Sequence, residues 1–205
     1  MAVDDLNKLF KHELGDLLYA EKTFLKGLKA MAKETSDPTM KDRILQHADE
    51  TEGQIDTLER AFDAAGMKVK ATKCDAAIGL KEEHDHFKEE EEPEPQILEA
   101  FNLGSGLRVE HYEIAGYRSA IALARALGFD ESAALLQQNL QQEEEMARFL
   151  ESNAPTALAK LGAAQEGVEV EVEVEPEVSR ARGGGGGTRS RAKSGSKRSS
   201  TRAEA

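Results

Sequence analysis

Five glutamates and one histidine of this chain carry polar chemistry at positions whose helical neighbours are apolar: Glu21, His47, Glu50, Glu110, Glu113 and Glu143. Glu21 stands four residues after Leu17 and seven before Leu28. His47 and Glu50 are three apart, between Ile44 and Leu58. Glu110 and Glu113 are also three apart, with Tyr117 four further on, and Glu143 is three past Leu140. Residues three or four apart share a helical face, so each acid falls inside an apolar stripe. Several ionised carboxylates cannot share a dry core, because desolvation and mutual repulsion would each cost several kcal/mol. A pair of divalent cations removes both penalties, and a carboxylate-rich set with an imidazole suits iron or manganese. The expectation is therefore two divalent metal ions, iron or manganese. Glu21, His47 and Glu50 hold one side, and Glu110, Glu113 and Glu143 hold the other or bridge. Tyr117 stands behind them, packed in the core with its hydroxyl toward a carboxylate or a bound oxygen species.

Bundles that hold such pairs commonly use a lone Glu on two helices and Glu-x-x-His on the other two. This chain departs from that pattern. His47 precedes Glu50, Glu113 stands third after Glu110, and Met146 stands third after Glu143. With 32% charged residues, some Glu will fall near any stripe. Glu143 is preferred to Glu144 and Glu145 because it continues the line from Leu140 to Leu150.

Four long helices must position these groups. Leu6, Phe10, Leu14, Leu17, Phe24, Leu28 and Met31 recur at helical spacing, until Asp37 and Pro38 mark a cap and a new start. Ile44, Ala48, Ile55, Leu58 and Phe62 carry the second helix to Gly66. A short helix is expected over 74–89, then a third long one from Ile97 to Leu127 and a fourth from Glu131 to Glu151. Two hairpins joined by a long connection make an all-α four-helix bundle of ferritin-like topology. Counted from the first turn, Glu21 and Glu50 differ in height by roughly 4–5 Å. Counted from the second, Glu113 and Glu143 differ by roughly 3 Å. The acids of each hairpin therefore meet at one level.

Charge divides the chain differently. Residues 180–205 hold eight basic residues and one acid, leaving 19 basic against 38 acidic before them, a net of −19 within a total of −12. Residues 1–162 are read as the bundle, 163–179 as an acidic Val/Glu linker and 180–205 as a disordered Gly/Ser/Arg/Lys tail. Arg180, Arg182, Arg189, Arg191, Lys193, Lys197, Arg198 and Arg202 give that tail a salt-sensitive attraction to DNA or RNA. A lone Cys74 excludes disulfides and multi-cysteine metal sites. No apolar run approaches the ~18–20 residues of a membrane span, and the start lacks a basic and apolar leader. A cytoplasmic protein without membrane contact is expected.

Glu13-Leu14-Gly15-Asp16-Leu17-Leu18-Tyr19-Ala20-Glu21-Lys22, His47-Ala48-Asp49-Glu50-Thr51 and Glu110-His111-Tyr112-Glu113-Ile114-Ala115 resemble the YciF-type stress-response family of ferritin-like proteins. Lys73-Cys74 and Gly79-Leu80 add to the likeness, which spans roughly residues 4–161 and leaves out the linker and tail. It implies a ferritin-like bundle, commonly a homodimer, with a dimetal centre on the residues named above. Two functions compete. One is a stress-linked dimetal carboxylate protein acting on peroxide or dioxygen, with no residue singled out as catalytic. The other is a non-catalytic dimeric scaffold tethered to nucleic acid by its tail.

Overall fold

Helix α1 (Leu6–Glu34) opens where the Asp5 carboxylate accepts from the Lys8 amide, and α2 (Pro38–Ala64) opens the same way at Asp37, with Pro38 in its first turn. After Gly66, in the left-handed region at φ 67°, the chain crosses to α3 (Asp75–Glu91), capped by the Cys74 thiol. Helix α4 (Pro95–Leu127) ends at Gly128, φ 75°, and α5 (Asp130–Glu166) follows at once. The computed structural model describes residues 3–166. Residues 163–166, read as the start of the Val/Glu linker, belong to α5; the rest of the linker and the basic tail with its eight cations lie outside the described residues.

Direction follows from partners. Lys22 meets Glu59 and Lys29 meets Glu52, so α1 and α2 run antiparallel; Arg118 with Glu144 and His111 with Glu151 set α4 against α5 in the same sense. Phe10 stacks on Phe129 at one end, while Glu99 accepts from the Ser36 and Asp37 amides at the other. That places α4 antiparallel to α1. Ser132 donates to the Ala61 carbonyl and Asn139 to that of Gln54, which sets α5 antiparallel to α2. The two hairpin loops therefore sit at opposite ends. The crossover climbs the bundle between them: Thr72 N–H donates to Gly15 at the foot, and Lys88 pairs with Glu34 at the top. Helix α3 lies along α1 and α4.

Apart from a small cluster of Ala20, Phe24, Cys74 and Ala77 between α1 and α3, the apolar core comes in two layers. One holds Phe10, Leu14, Leu58, Phe62, Leu136 and their neighbours, and the other Leu28, Ile44, Leu103, Met146 and Leu150. Each such buried side chain contributes about 1.5–3 kcal/mol of transfer free energy. Glu21, His47, Glu110 and Glu143 occupy the level between the layers.

Two expectations need correction. Leu6 was placed in the stripe, but at the helix start it is 51% exposed. The fourth long helix does not stop at Glu151; it continues through Pro155 to Glu166. One lost amide donor is tolerated because Ala154 and Ala157 pack on the second layer and Lys160 reaches Asp37, 3.6 Å away. No helix among the described residues is long and apolar enough to cross a membrane.

Candidate metal centre

Helix α1 supplies Glu21, α2 supplies His47, α4 supplies Glu110 and Glu113, and α5 supplies Glu143. All five are buried to 2% exposure or less. Their ligand atoms fall into two groups, each with its members within 4.8 Å of one another. One group is His47, Glu110 and Glu143; the other is Glu21, Glu113 and Glu143. Glu143 belongs to both, so the groups are adjacent and share one carboxylate. They do not divide hairpin by hairpin, as the sequence suggested. Each draws on both hairpins, because antiparallel neighbours bring the middle of every helix to one level.

His47 Nε2 lies 3.3 Å from Glu110 Oε1 and 3.5 Å from Glu143 Oε2. Its other nitrogen lies 3.1 Å from Glu50 Oε2. Glu50 stands apart from both groups: only partly buried, it accepts from Arg43 at 3.1 Å and from Gln46 at 2.7 Å. It orients the imidazole from behind, as carboxylates commonly do for ligating histidines. Tyr117 is fully buried and donates its hydroxyl hydrogen to Glu21 Oε1. The same hydroxyl oxygen accepts from Asn139 Nδ2 at 2.9 Å. Gln54 donates to Glu143 Oε1. Neither Gln54 nor Asn139 is among the sequence candidates, because a neutral amide carries no charge to stand out in an apolar stripe. The signal was available: Gln54 is seven residues after His47 and Asn139 four before Glu143, on the same faces. Glu144, by contrast, turns outward to Arg118.

The electrostatics are unfavourable as they stand. Burial pushes the Glu21 carboxyl well above the usual range, and Glu143 opposite adds to the shift. Glu113 is raised in the same way by burial and then by Glu21. Burial takes Glu110 up to about 8 even though His47 beside it pulls downward. For His47, burial disfavours the charge, but Glu110, Glu143 and Glu50 outweigh it and hold the imidazole well above its ordinary value. The His47 hydrogen bond, helped by Arg43, holds the partly buried Glu50 down at about 2.

Buried oxygens test whether this cluster fits a metal. Glu110 Oε2, Glu113 Oε1, Glu143 Oε2 and Gln54 Oε1 are all buried without a hydrogen-bond partner. Buried acceptors are nearly always satisfied, so four orphans in one small volume call for a missing partner. Each is a lone-pair donor without a hydrogen bond, the nearest imidazole being 3.5 Å from Glu143 Oε2, and such oxygens are what a hard cation requires. Four ionised carboxylates and a neutral imidazole would balance the charge of two divalent ions. The donor set fits such a pair.

Comparison with known proteins gives one family and a small group of relatives. Residues 5–163 match the family described as a domain of unknown function, DUF892. The chain is 32% identical to protein YciF of Escherichia coli K12 over 145 residues, which is 70% of this chain and 87% of that protein. The crystal structure of the E. coli stress protein YciF superposes with a TM-score of 0.71 at 31% identity, covering 77% of this chain and 99% of that one. YcfI from Rhodopseudomonas palustris, described as a proposed structural protein, gives 0.70 at 31% identity over 74% and 97%.

Proposed function

The chain belongs to the DUF892 family, and from that premise we propose that it is a ferritin-like dimetal carboxylate protein, serving under stress conditions and handling peroxide or dioxygen. The observation that carries this reading is Glu143, whose buried carboxylate is common to two adjacent ligand groups. Glu21 and Glu113 would hold one ion, His47 and Glu110 the other, and Glu143 would bridge. Iron or manganese bound there would supply two electrons, one from each ion, for reducing an O–O bond. The chain's own part is to position and to insulate. Glu50 fixes the ring orientation of His47 from the solvent side. Tyr117 holds a proton beside Glu21, and Asn139 fixes that hydroxyl in turn. The apolar layers above and below exclude water, which strengthens every charge interaction between them.

Metal content per chain tests the reading, by mass spectrometry on protein purified without chelator. About two iron or manganese atoms are expected. Glu143→Gln should lose both ions, since both groups use that carboxylate. Under about a tenth of an atom, with no uptake after anaerobic Fe(II) or Mn(II) addition, would overturn the proposal. It would leave the scaffold reading, which the description of YcfI favours.

A further inference from the structure

We infer that the cleft between α1, α3 and α4 is a binding site for a small molecule with an apolar body and an anionic end. The cleft has a volume of about 180 Å³ and lies on the side of the bundle that the crossover helix covers. Phe24, Leu28 and Met31 of α1, Leu80 of α3 and Val109 of α4 give it apolar walls. Lysines 26, 81 and 88 stand around it, against one lining carboxylate at the surface, Asp85. Lys81 is paired with Asp85 and Lys88 with Glu34, but Lys26 makes no ion pair among the described residues. With those two lysines offset by carboxylates, Lys26 is the cation left to meet an anion at this apolar hollow. It creates a local positive potential that attracts an anion while the walls take up a hydrocarbon. At roughly 30 Å³ per water the volume would hold about six waters, or a short-chain carboxylate of similar bulk.

The floor of the cleft is Glu110. A second, internal void of about 20 Å³, room for one water, touches Glu110 from the other side and is lined by Ile44, Leu103 and Met146. Leu28, Met31 and Gly106 border both spaces. Glu110 is thus the point at which the exterior cleft meets the buried carboxylate cluster. A molecule seated with its charged end among the lysines would lay its other end against that residue. Calling the cleft the substrate pocket of the centre rests on the function proposed above; binding itself does not.

Isothermal titration calorimetry on the full chain with chelator present tests the binding, using octanoate, octanol and octylammonium as probes. Octanoate should bind best. Lys26→Glu, on an exposed side chain, should weaken octanoate about fivefold and leave octanol unchanged. Val109→Trp should abolish binding of both by filling the cleft. Absence of heat from all three probes at millimolar concentration would overturn the site, and so would equal affinity for octanoate and octylammonium. A second arm adds octanoate to Co(II)-loaded protein. A changed visible absorption supports contact between the pocket and the centre, and an unchanged one at saturation overturns that link. Failure to hold Co(II) would count against the proposed function alone, since the calorimetry stands without metal.

Discussion

Glu110 borders both the buried carboxylate cluster and the exterior cleft, and its protonation gives the most direct prediction. Its carboxyl lies at about 8 in the fold, against 4.5 as a free side chain. Below 4.5 both folded and unfolded chains are protonated there, so the group costs nothing. Above it the unfolded chain ionises first, and folding stability falls until the pH passes about 8. Glu21, Glu113 and His47, all raised, act in the same direction. Asp37 and Glu50, both lowered, act oppositely, contributing stability that is lost as pH falls below their unfolded values. Chelated protein should therefore melt at a higher temperature at pH 5 than at pH 8, by circular dichroism. Glu110→Gln should flatten that dependence. A melting temperature that rises between pH 5 and pH 8 would contradict the assignment. At Tyr117 the expectation is structural: Tyr117→Phe strands Glu21 Oε1 and leaves Asn139 Nδ2 only its bond to the Gln54 carbonyl, a loss of about 1–3 kcal/mol in urea denaturation. The acids were legible in the sequence because a charge inside an apolar stripe is conspicuous. Gln54 and Asn139 were not, since a neutral amide on the same face looks like any other polar residue. The outward role of Glu50 was hidden too, because a spacing of three from His47 fits a ligand and a supporting residue equally well.

At the scale of elements, the crossover is fixed where α1 carries Gly15. A Cβ there would overlap Thr72 Oγ1 and lie 2.7 Å from the Lys70 carbonyl oxygen. Gly15 O also accepts from Thr72 N–H at 2.9 Å. Gly15→Ala should destabilise by about 1–3 kcal/mol, because backbone has to move. Gly53 is the control: it lies in α2 with nothing within 4 Å of an added Cβ, so Gly53→Ala should stabilise by about 0.5–1 kcal/mol through helix propensity. Helix starts at Pro38 and stops at Gly66 and Gly128 were readable, since each rests on a local backbone requirement. The continuation past Pro155 was not, because its support comes largely from residues distant in sequence, Asp37 and the α1 and α2 members of the second apolar layer. The opposite placement of the two hairpin loops was equally out of reach. Counting heights within each hairpin cannot say how the hairpins face each other. Glu113 and Glu143 meet because they lie near mid-helix, where the level is the same from either end, whereas Glu50, counted with Glu21, stands outside both groups.

For the molecule as a whole, ligand atoms come from four different helices, so a bound ion ties both hairpins together. Adding Mn(II) to chelated protein should raise its stability by about 2.7 kcal/mol at a hundredfold excess over Kd, read as a shift in the urea midpoint. An unchanged midpoint would show that the ion is not held between the hairpins. The antiparallel packing of the four long helices has one more consequence. Helix macrodipoles cancel in such an arrangement, and their influence fades within a turn of the helix ends. Glu21 lies 15 residues from one end of α1 and 13 from the other, about 20 Å from either terminus. No peptide field reaches the acids, so only mobile charge can neutralise them. On the function proposed above the bundle would act as an ion exchanger at its centre: each cation that entered would release protons, and the acid liberated per metal taken up would count the carboxyls, with His47, that had been waiting.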